Sequence, residues 1–163
     1  MIFFKNIKTQ ILKKENIYFL IFILFIFILD RLSKNSILNN FSENQFFVND
    51  YINFNLIWNT GIGFGIMSTN IILIYNFITI IIGLVILYLI YIQLFSEQFD
   101  KIILCFIIGG ALGNFYDRLI FQAVPDFIDL HYKEFHWFTF NVADIFISFG
   151  IIAYIIKGYF IKN

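Results

Sequence analysis

Four long apolar runs constrain this chain more than any other feature. The first starts at Ile17, is unbroken to Leu29, and must continue past Asp30 to about residue 36 to cross a bilayer. The second covers residues 71–95, the third 102–121 and the fourth 141–160. A membrane-spanning helix needs about 20 mostly apolar residues. The expected fold is therefore an all-α membrane protein, with four transmembrane helices in a single polytopic domain over residues 1–163. Composition agrees: 60% of residues are hydrophobic and only 13% charged, against about 25% charged in typical domains.

The formal net charge of zero argues against a nucleic-acid partner, which would need a basic stripe to meet phosphates. Cys105 is the single cysteine, so an intramolecular disulfide and a thiolate metal cluster are excluded, and a packing role in a helix is expected. Lysines set the orientation, because positive charge stays on the cytoplasmic side. Lys5, Lys8, Lys13 and Lys14 precede the first span, Lys101 falls in the short turn between spans two and three, and Lys157 and Lys162 close the sequence. Both termini are expected to be cytoplasmic, with the two longer connections outside. The first span is not expected to be a cleaved leader. No small-residue cleavage pattern follows it, and Asp30 and Lys34 lie just beyond its apolar core.

In the first outer loop Ile52, Phe54, Leu56 and Trp58 alternate with Asn53, Asn55, Ile57 and Asn59. That period predicts a strand with one apolar face, and a small extracytoplasmic β-element lying on the membrane surface. Gly61, Gly63 and Gly65 follow and allow tight turns or close backbone approach.

Polar groups at the outer ends of the spans require a reason, since a charge in a membrane helix costs about 2.5–3.5 kcal/mol at its centre. Asp30 and Lys34 are four apart and can pair on one helix face. Gly109 and Gly113 form a small-xxx-small pair that lets another helix approach. Asn114, Asp117 and Arg118 then make one face polar, with Arg118 placed to hold its neighbour Asp117 ionised. Pro125 disfavours a helix before Asp126 and suggests a bend there. Asp129 serves as well as Asp126 by chemistry alone. Asn141, Asp144 and Ser148 form a polar stripe on the fourth span; an N-terminal cap accounts for Asn141 but not for acids gathering from three spans.

Asp30, Asp117, Asp126 and Asp144 thus reach a common depth. Two adjacent carboxyls cannot both ionise cheaply, so one keeps a proton while the other acts as a base. Such a pair can activate water against an amide and protonate the leaving nitrogen. His131 and His136 read as interfacial polar residues of an aromatic-rich loop, not as ligands. A proton-coupled transporter is the chief rival, but spans two to four carry nothing ionisable in their inner halves apart from charges at their ends. A structural protein pinned together by its aspartates is the other.

Five ordered blocks then narrow the choice: Asp30-Arg-Leu-Ser-Lys34, Asn59-Thr-Gly-Ile-Gly-Phe-Gly65, Gly109 to Arg118, Val124-Pro-Asp-Phe-Ile128 and Phe140-Asn-Val-Ala-Asp144. In these the chain resembles the lipoprotein signal peptidases, or signal peptidase II. The resemblance implies a membrane aspartyl endopeptidase of the bacterial inner membrane, active near its extracytoplasmic face. Its substrate would be a diacylglyceryl-modified prolipoprotein arriving laterally through membrane lipid, cut before the lipid-modified cysteine. It implies Asp126 and Asp144 as the catalytic pair, and matches Asp30, Lys34, Asn59, Gly61, Asn114, Asp117, Arg118, Asn141 and Ala143 to positions that shape or support the site. No metal or organic cofactor is required on this reading, and a monomer is the working expectation. Ser33 in place of Thr, Ile62-Gly63 in place of two alanines, and Pro125 in place of an aliphatic residue depart from the family pattern.

Overall fold

The structure is a computed structural model and describes residues 7, 9–41, 45–61 and 72–161. Four helices among them are long and apolar enough to cross a membrane: α1 (Lys14–Asn40), α2 (Ile72–Phe95), α3 (Gln98–Phe121) and α4 (Val142–Ile161). Helix α3 is central and packs against the other three. Ile23 of α1 meets Leu104, Cys105 and Ile108 of α3 in the innermost core, while most large apolar side chains of α2 and α4 point outward, as lipid-facing helices require. Cys105 is fully buried in that core.

Lipid tails are as apolar as leucine, so helices in a membrane associate through close packing of small residues. A Cβ on Gly109 would lie 2.7 Å from Ile26 Cβ, and one on Gly113 would overlap the Asp30 carboxylate, so this pair seats α1. Gly110 seats α4 in the same way, since a Cβ there would come within 2.5 Å of the Ala143 carbonyl oxygen. Lys101 lies within the first turn of α3, not in the preceding connection. Buried there, it donates from Nζ to Asn16 Oδ1 at 2.7 Å and ties the starts of α1 and α3 together.

The β-element is larger than the connection between α1 and α2 alone would supply. Strands β1 (Phe46–Asn49), β2 (Ile52–Asn59), β3 (Val124–Tyr132) and β4 (Phe135–Phe140) form one antiparallel sheet in the order β1-β2-β3-β4. Half of it therefore comes from the connection between α3 and α4. Asp126 sits on β3 opposite Ile57, not at a bend. Pro125 is tolerated because β4 pairs with β3 only from Ile128 onward, leaving β2 as the one neighbour at the proline. In β2 the simple alternation does not hold: Asn53 and Asn59 are buried, whereas Ile57 and Trp58 are both 45% exposed, and a register shift between Phe54 and Ile57 puts the two asparagines on opposite faces. With Phe135, Trp137 and Phe138 also exposed, the sheet presents aromatic residues of the kind enriched at a membrane–water interface.

Candidate active site

On α1, Asp30 and Lys34 share one face, and the ion pair expected from their spacing is present at 3.0 Å. The ammonium has three donors, and all are used: Lys34 Nζ also donates to Asn114 Oδ1 at 2.8 Å and to Asp117 Oδ2 at 2.7 Å. Lys34, Asp30 and Asp117 have no side-chain exposure. Arg31 completes the cluster, donating from Nη2 to Asp30 Oδ2 and to Asp117 Oδ2, each at 2.8 Å. Its guanidinium lies over the Tyr116 ring, 4.9 Å from the centroid. Two cations and two carboxylates balance, which a buried cluster needs in order to persist.

Arg31 was not foreseeable as a site residue, because a residue next to Asp30 on a helix projects about 100° away from it, and only the position of α3 brings the guanidinium to both carboxylates. Arg118, expected to hold Asp117, has other partners: it donates to the Asn114 carbonyl at 3.1 Å and to the Gly61 carbonyl at 2.8 Å. The ionic partners of Asp117 are Lys34 and Arg31.

Three asparagines carry this order to the remaining carboxylates. The Oδ1 of Asn114 accepts from Lys34, so its Nδ2 faces Asp144 and donates to Oδ1 at 2.7 Å. Asn59 Oδ1 accepts from the Gly61 N–H at 2.7 Å, so its Nδ2 donates to Asp126 Oδ2 at 2.8 Å. Asn141 Oδ1 accepts from the Asp144 N–H at 3.1 Å, so its Nδ2 donates to Asp126 Oδ1 at 2.6 Å. An amide's orientation is otherwise ambiguous; here a donor on the oxygen side of each one decides it.

Asn141 immediately precedes α4, and its own N–H reaches Asp144 Oδ2 at 3.2 Å. With the reciprocal bond this is a capping box of the Asn/Asp kind. The cap thus accounts for one oxygen of Asp144 as well as for Asn141, and the same asparagine binds both Asp126 and Asp144. The N–H of Ala143 meanwhile donates to Asp30 Oδ1 at 3.0 Å, linking the start of α4 to the ionic cluster.

Asp126 is 3% exposed. Burial, with the nearby charge of Asp144 adding to it, pushes its carboxyl up to about 6, although the amides of Asn59 and Asn141 oppose the shift. Asp144 is half-buried and opens onto a cleft of about 420 Å³ between β4 and α4, lined by Phe138, Phe140, Ile145, Ser148, Phe149 and Ile152. Ile145, Ser148, Phe149 and Ile152 recur at helical spacing on one face of α4. Asp129, chemically an equal alternative to Asp126 in the sequence, is engaged with His136. Gly63 and Gly65 lie outside the described residues.

Known proteins share this architecture. The family model described as signal peptidase (SPase) II matches residues 22–160. A lipoprotein signal peptidase of Pelagibacter ubique (strain HTCC1062) is 45% identical over 153 residues, 91% of this chain and 92% of that protein. One from Francisella tularensis subsp. novicida is 34% identical over 120 residues, 71% of this chain and 74% of the other. A bacterial membrane enzyme solved by the in meso method at 2.3 Å resolution superposes with a TM-score of 0.73 and 28% identity, covering 86% of each chain.

Proposed function

The chain belongs to the signal peptidase II family, and from that premise we propose that it is an aspartyl endopeptidase that removes signal peptides from diacylglyceryl-modified prolipoproteins, using a water held between Asp126 and Asp144. It is a bacterial multi-pass membrane protein. On this reading its termini are cytoplasmic and its site is near the extracytoplasmic face, where the exposed aromatic residues of the sheet meet the bilayer surface.

The observation that carries the assignment is Asn141, whose side chain binds Asp126 and whose backbone N–H binds Asp144. One residue thereby holds two carboxyls from different elements in a single electrostatic unit. The raised carboxyl of Asp126 suits a pair that shares a proton. In the reaction, the ionised member takes a proton from water as its oxygen attacks the scissile carbonyl, and the protonated member neutralises the developing oxyanion. Proton return to the amide nitrogen then breaks the C–N bond, releasing the signal peptide as an acid and the lipoprotein with a free amine.

The cleft beside Asp144 suits an apolar segment arriving from lipid, since its walls are almost wholly Ile and Phe. Asp30, Arg31, Lys34 and Asp117 act one step removed, by orienting Asn114 toward Asp144 and Ala143 toward Asp30. Asn59, Gly61 and Arg118 hold the end of β2 against Asp126 through their hydrogen bonds. The glycine-rich segment that starts at Gly61, of which residues 62 onward lie outside the described residues, is assigned the role of clamping the substrate on this reading.

Cleavage of a purified diacylglyceryl-prolipoprotein by wild type, Asp126→Asn and Asp144→Asn tests the assignment, each protein being checked for folding. Activity in wild type alone is expected. A folded, active Asp126→Asn or Asp144→Asn enzyme would remove that residue from the pair.

A further inference from the structure

A second cluster of ligand-type side chains lies on the sheet. On β3, Asp129 and His131 are two residues apart and so project from one face, while Asp126, three residues before Asp129, projects from the other. Asn53 of β2 stands directly opposite Asp129 and joins the same face. On β4 the register slips by one residue: Leu130 pairs with Phe138 but His131 pairs with His136, leaving Trp137 as the extra residue. Bulges re-aim side chains, and this one puts an imidazole, not the indole, across from His131. The loop reading of the two histidines is thereby replaced: they form a cross-strand pair with rings face to face, 5.3 Å between centroids.

Asp129, His131 and His136 each offer one ligand atom, and the three atoms lie within 4.8 Å of one another. In a tetrahedral zinc site with bonds of about 2.0–2.1 Å, ligand atoms stand about 3.4 Å apart. The contact from Asp129 Oδ2 to His136 Nδ1 is already 2.7 Å, and the His136 side chain, 52% exposed, is free to swing for the rest.

The strongest sign of an absent partner is in the buried members. His131 is 5% exposed and Asn53 is 7% exposed, yet His131 Nδ1 and Asn53 Oδ1 have no hydrogen-bond partner among the described residues. The one approach between these two side chains, Asn53 Nδ2 to His131 Nε2, is long at 3.4 Å. Buried polar atoms left this way call for an ion or water.

We propose that Asp129, His131 and His136, with the Asn53 carbonyl oxygen beside them, bind one divalent first-row transition-metal ion such as Zn2+. Two imidazoles and one carboxylate match that class, whereas Ca2+ and Mg2+ require mainly oxygen ligands. The ion clasps β2, β3 and β4 together on the face of β3 turned away from Asp126. It has no part in the hydrolytic step.

The test uses untagged, full-length protein in detergent, washed with EDTA and titrated with ZnCl2, MgCl2 or CaCl2, with binding read by calorimetry and stability by thermal unfolding. One equivalent of zinc should bind with a melting temperature that rises with free zinc, while magnesium and calcium give neither effect. His136→Ala, altered at an exposed position and expected to fold, should bind zinc at least 100-fold more weakly. Asp129→Asn should also weaken it, and Asp126→Asn should not. Absence of saturable zinc binding to wild type, or equal binding to wild type and His136→Ala, would overturn the site. Loss of zinc binding in Asp126→Asn alone would overturn it too, by moving the ion to the carboxylate pair.

Discussion

The Nζ of Lys34 lies 2.7 Å from Oδ2 of Asp117, with neither side chain exposed. Removing one partner of a buried pair strands the other charge, at about 3–5 kcal/mol. Lys34→Met should therefore lower the melting temperature sharply. It should also reduce cleavage in whatever protein remains folded, because Asn114 loses the donor that turns its amide toward Asp144. Lys34→Arg should not rescue it, since a planar fork cannot address three acceptors arranged for an ammonium. Thermal unfolding in detergent, paired with single-turnover cleavage, reads both effects.

Asn141 combines a helix cap with a donor to Asp126, and two substitutions separate these roles. Asn141→Asp keeps an oxygen that can cap α4 but replaces the amide donor at Asp126 with an acceptor. Asn141→Ala removes both, and the cap alone contributes about 1 kcal/mol. We expect at least a 100-fold fall in turnover for both variants, with the greater loss of thermal stability in Asn141→Ala. Turnover by Asn141→Asp within about 3-fold of wild type would show that the amide donor is dispensable.

The carboxyl of Asp126, raised to about 6 in the folded protein, stands near 3.9 in an unfolded chain. Between about pH 4 and pH 6 the folded state therefore binds more protons at this group than the unfolded state does. By linkage, its contribution to stability falls as pH rises through that window and is constant above it. Asp126→Asn abolishes this slope and adds a pH-independent offset, because the amides of Asn59 and Asn141 would then face an NH2 group. Melting temperatures of wild type and variant from pH 4 to 8 should diverge in slope only below about pH 6. Parallel profiles across the whole range would contradict the raised carboxyl.

Gly113 is where α1 and α3 approach through the Asp30 carboxylate, whose Cγ would lie 2.9 Å from an added Cβ. Gly113→Ala must displace Asp30 from its bonds to Lys34 and the Ala143 N–H. Overpacking of this kind costs about 1–3 kcal/mol, and at least a 10-fold loss of cleavage should accompany it. Gly158→Ala, with open space around the added methyl, serves as the control and should leave both measurements unchanged.

The clamp reading gives a further expectation. Gly61 donates its N–H to Asn59 and accepts from Arg118, so Gly61→Val should disturb β2 where it meets Asp126 and reduce turnover with little loss of folded protein. Unchanged turnover would remove support for the clamp.

Apolar run length was enough to expect four membrane helices, and residue spacing was enough for the Asp30–Lys34 pair and for a close helix approach at Gly109 and Gly113, though not for which helix makes it. These are local properties, read within one helix. The sheet was half legible. Alternation marked β2, but β3 and β4 carry Pro125 and runs of aromatic residues that conceal a period of two. The pairing of β3 with β2 joins residues more than sixty positions apart, and β4 joins the sheet only through β3. The exchange of partners between Arg31 and Arg118 was hidden for the same reason, since both depend on how α1 and β2 meet α3. The choice of Asp126 over Asp129 came from family resemblance and not from spacing; the geometry adds that Asp129 is held by His136 on a different face.

The charge balance of the Asp30, Arg31, Lys34 and Asp117 cluster also dictates an order of biogenesis. As a lone segment, α1 would carry Arg31 and Lys34 with only Asp30 to balance them, the second carboxylate being supplied by Asp117 of α3, and an unbalanced charge in a membrane helix is costly even toward its end. Those residues become fully soluble in lipid only when the Asn114-to-Asp117 stretch arrives beside them. Insertion of the first helix is thus completed by the third, and a nascent chain that ends before Asp117 has neither a settled first span nor the frame on which its carboxylates are hung.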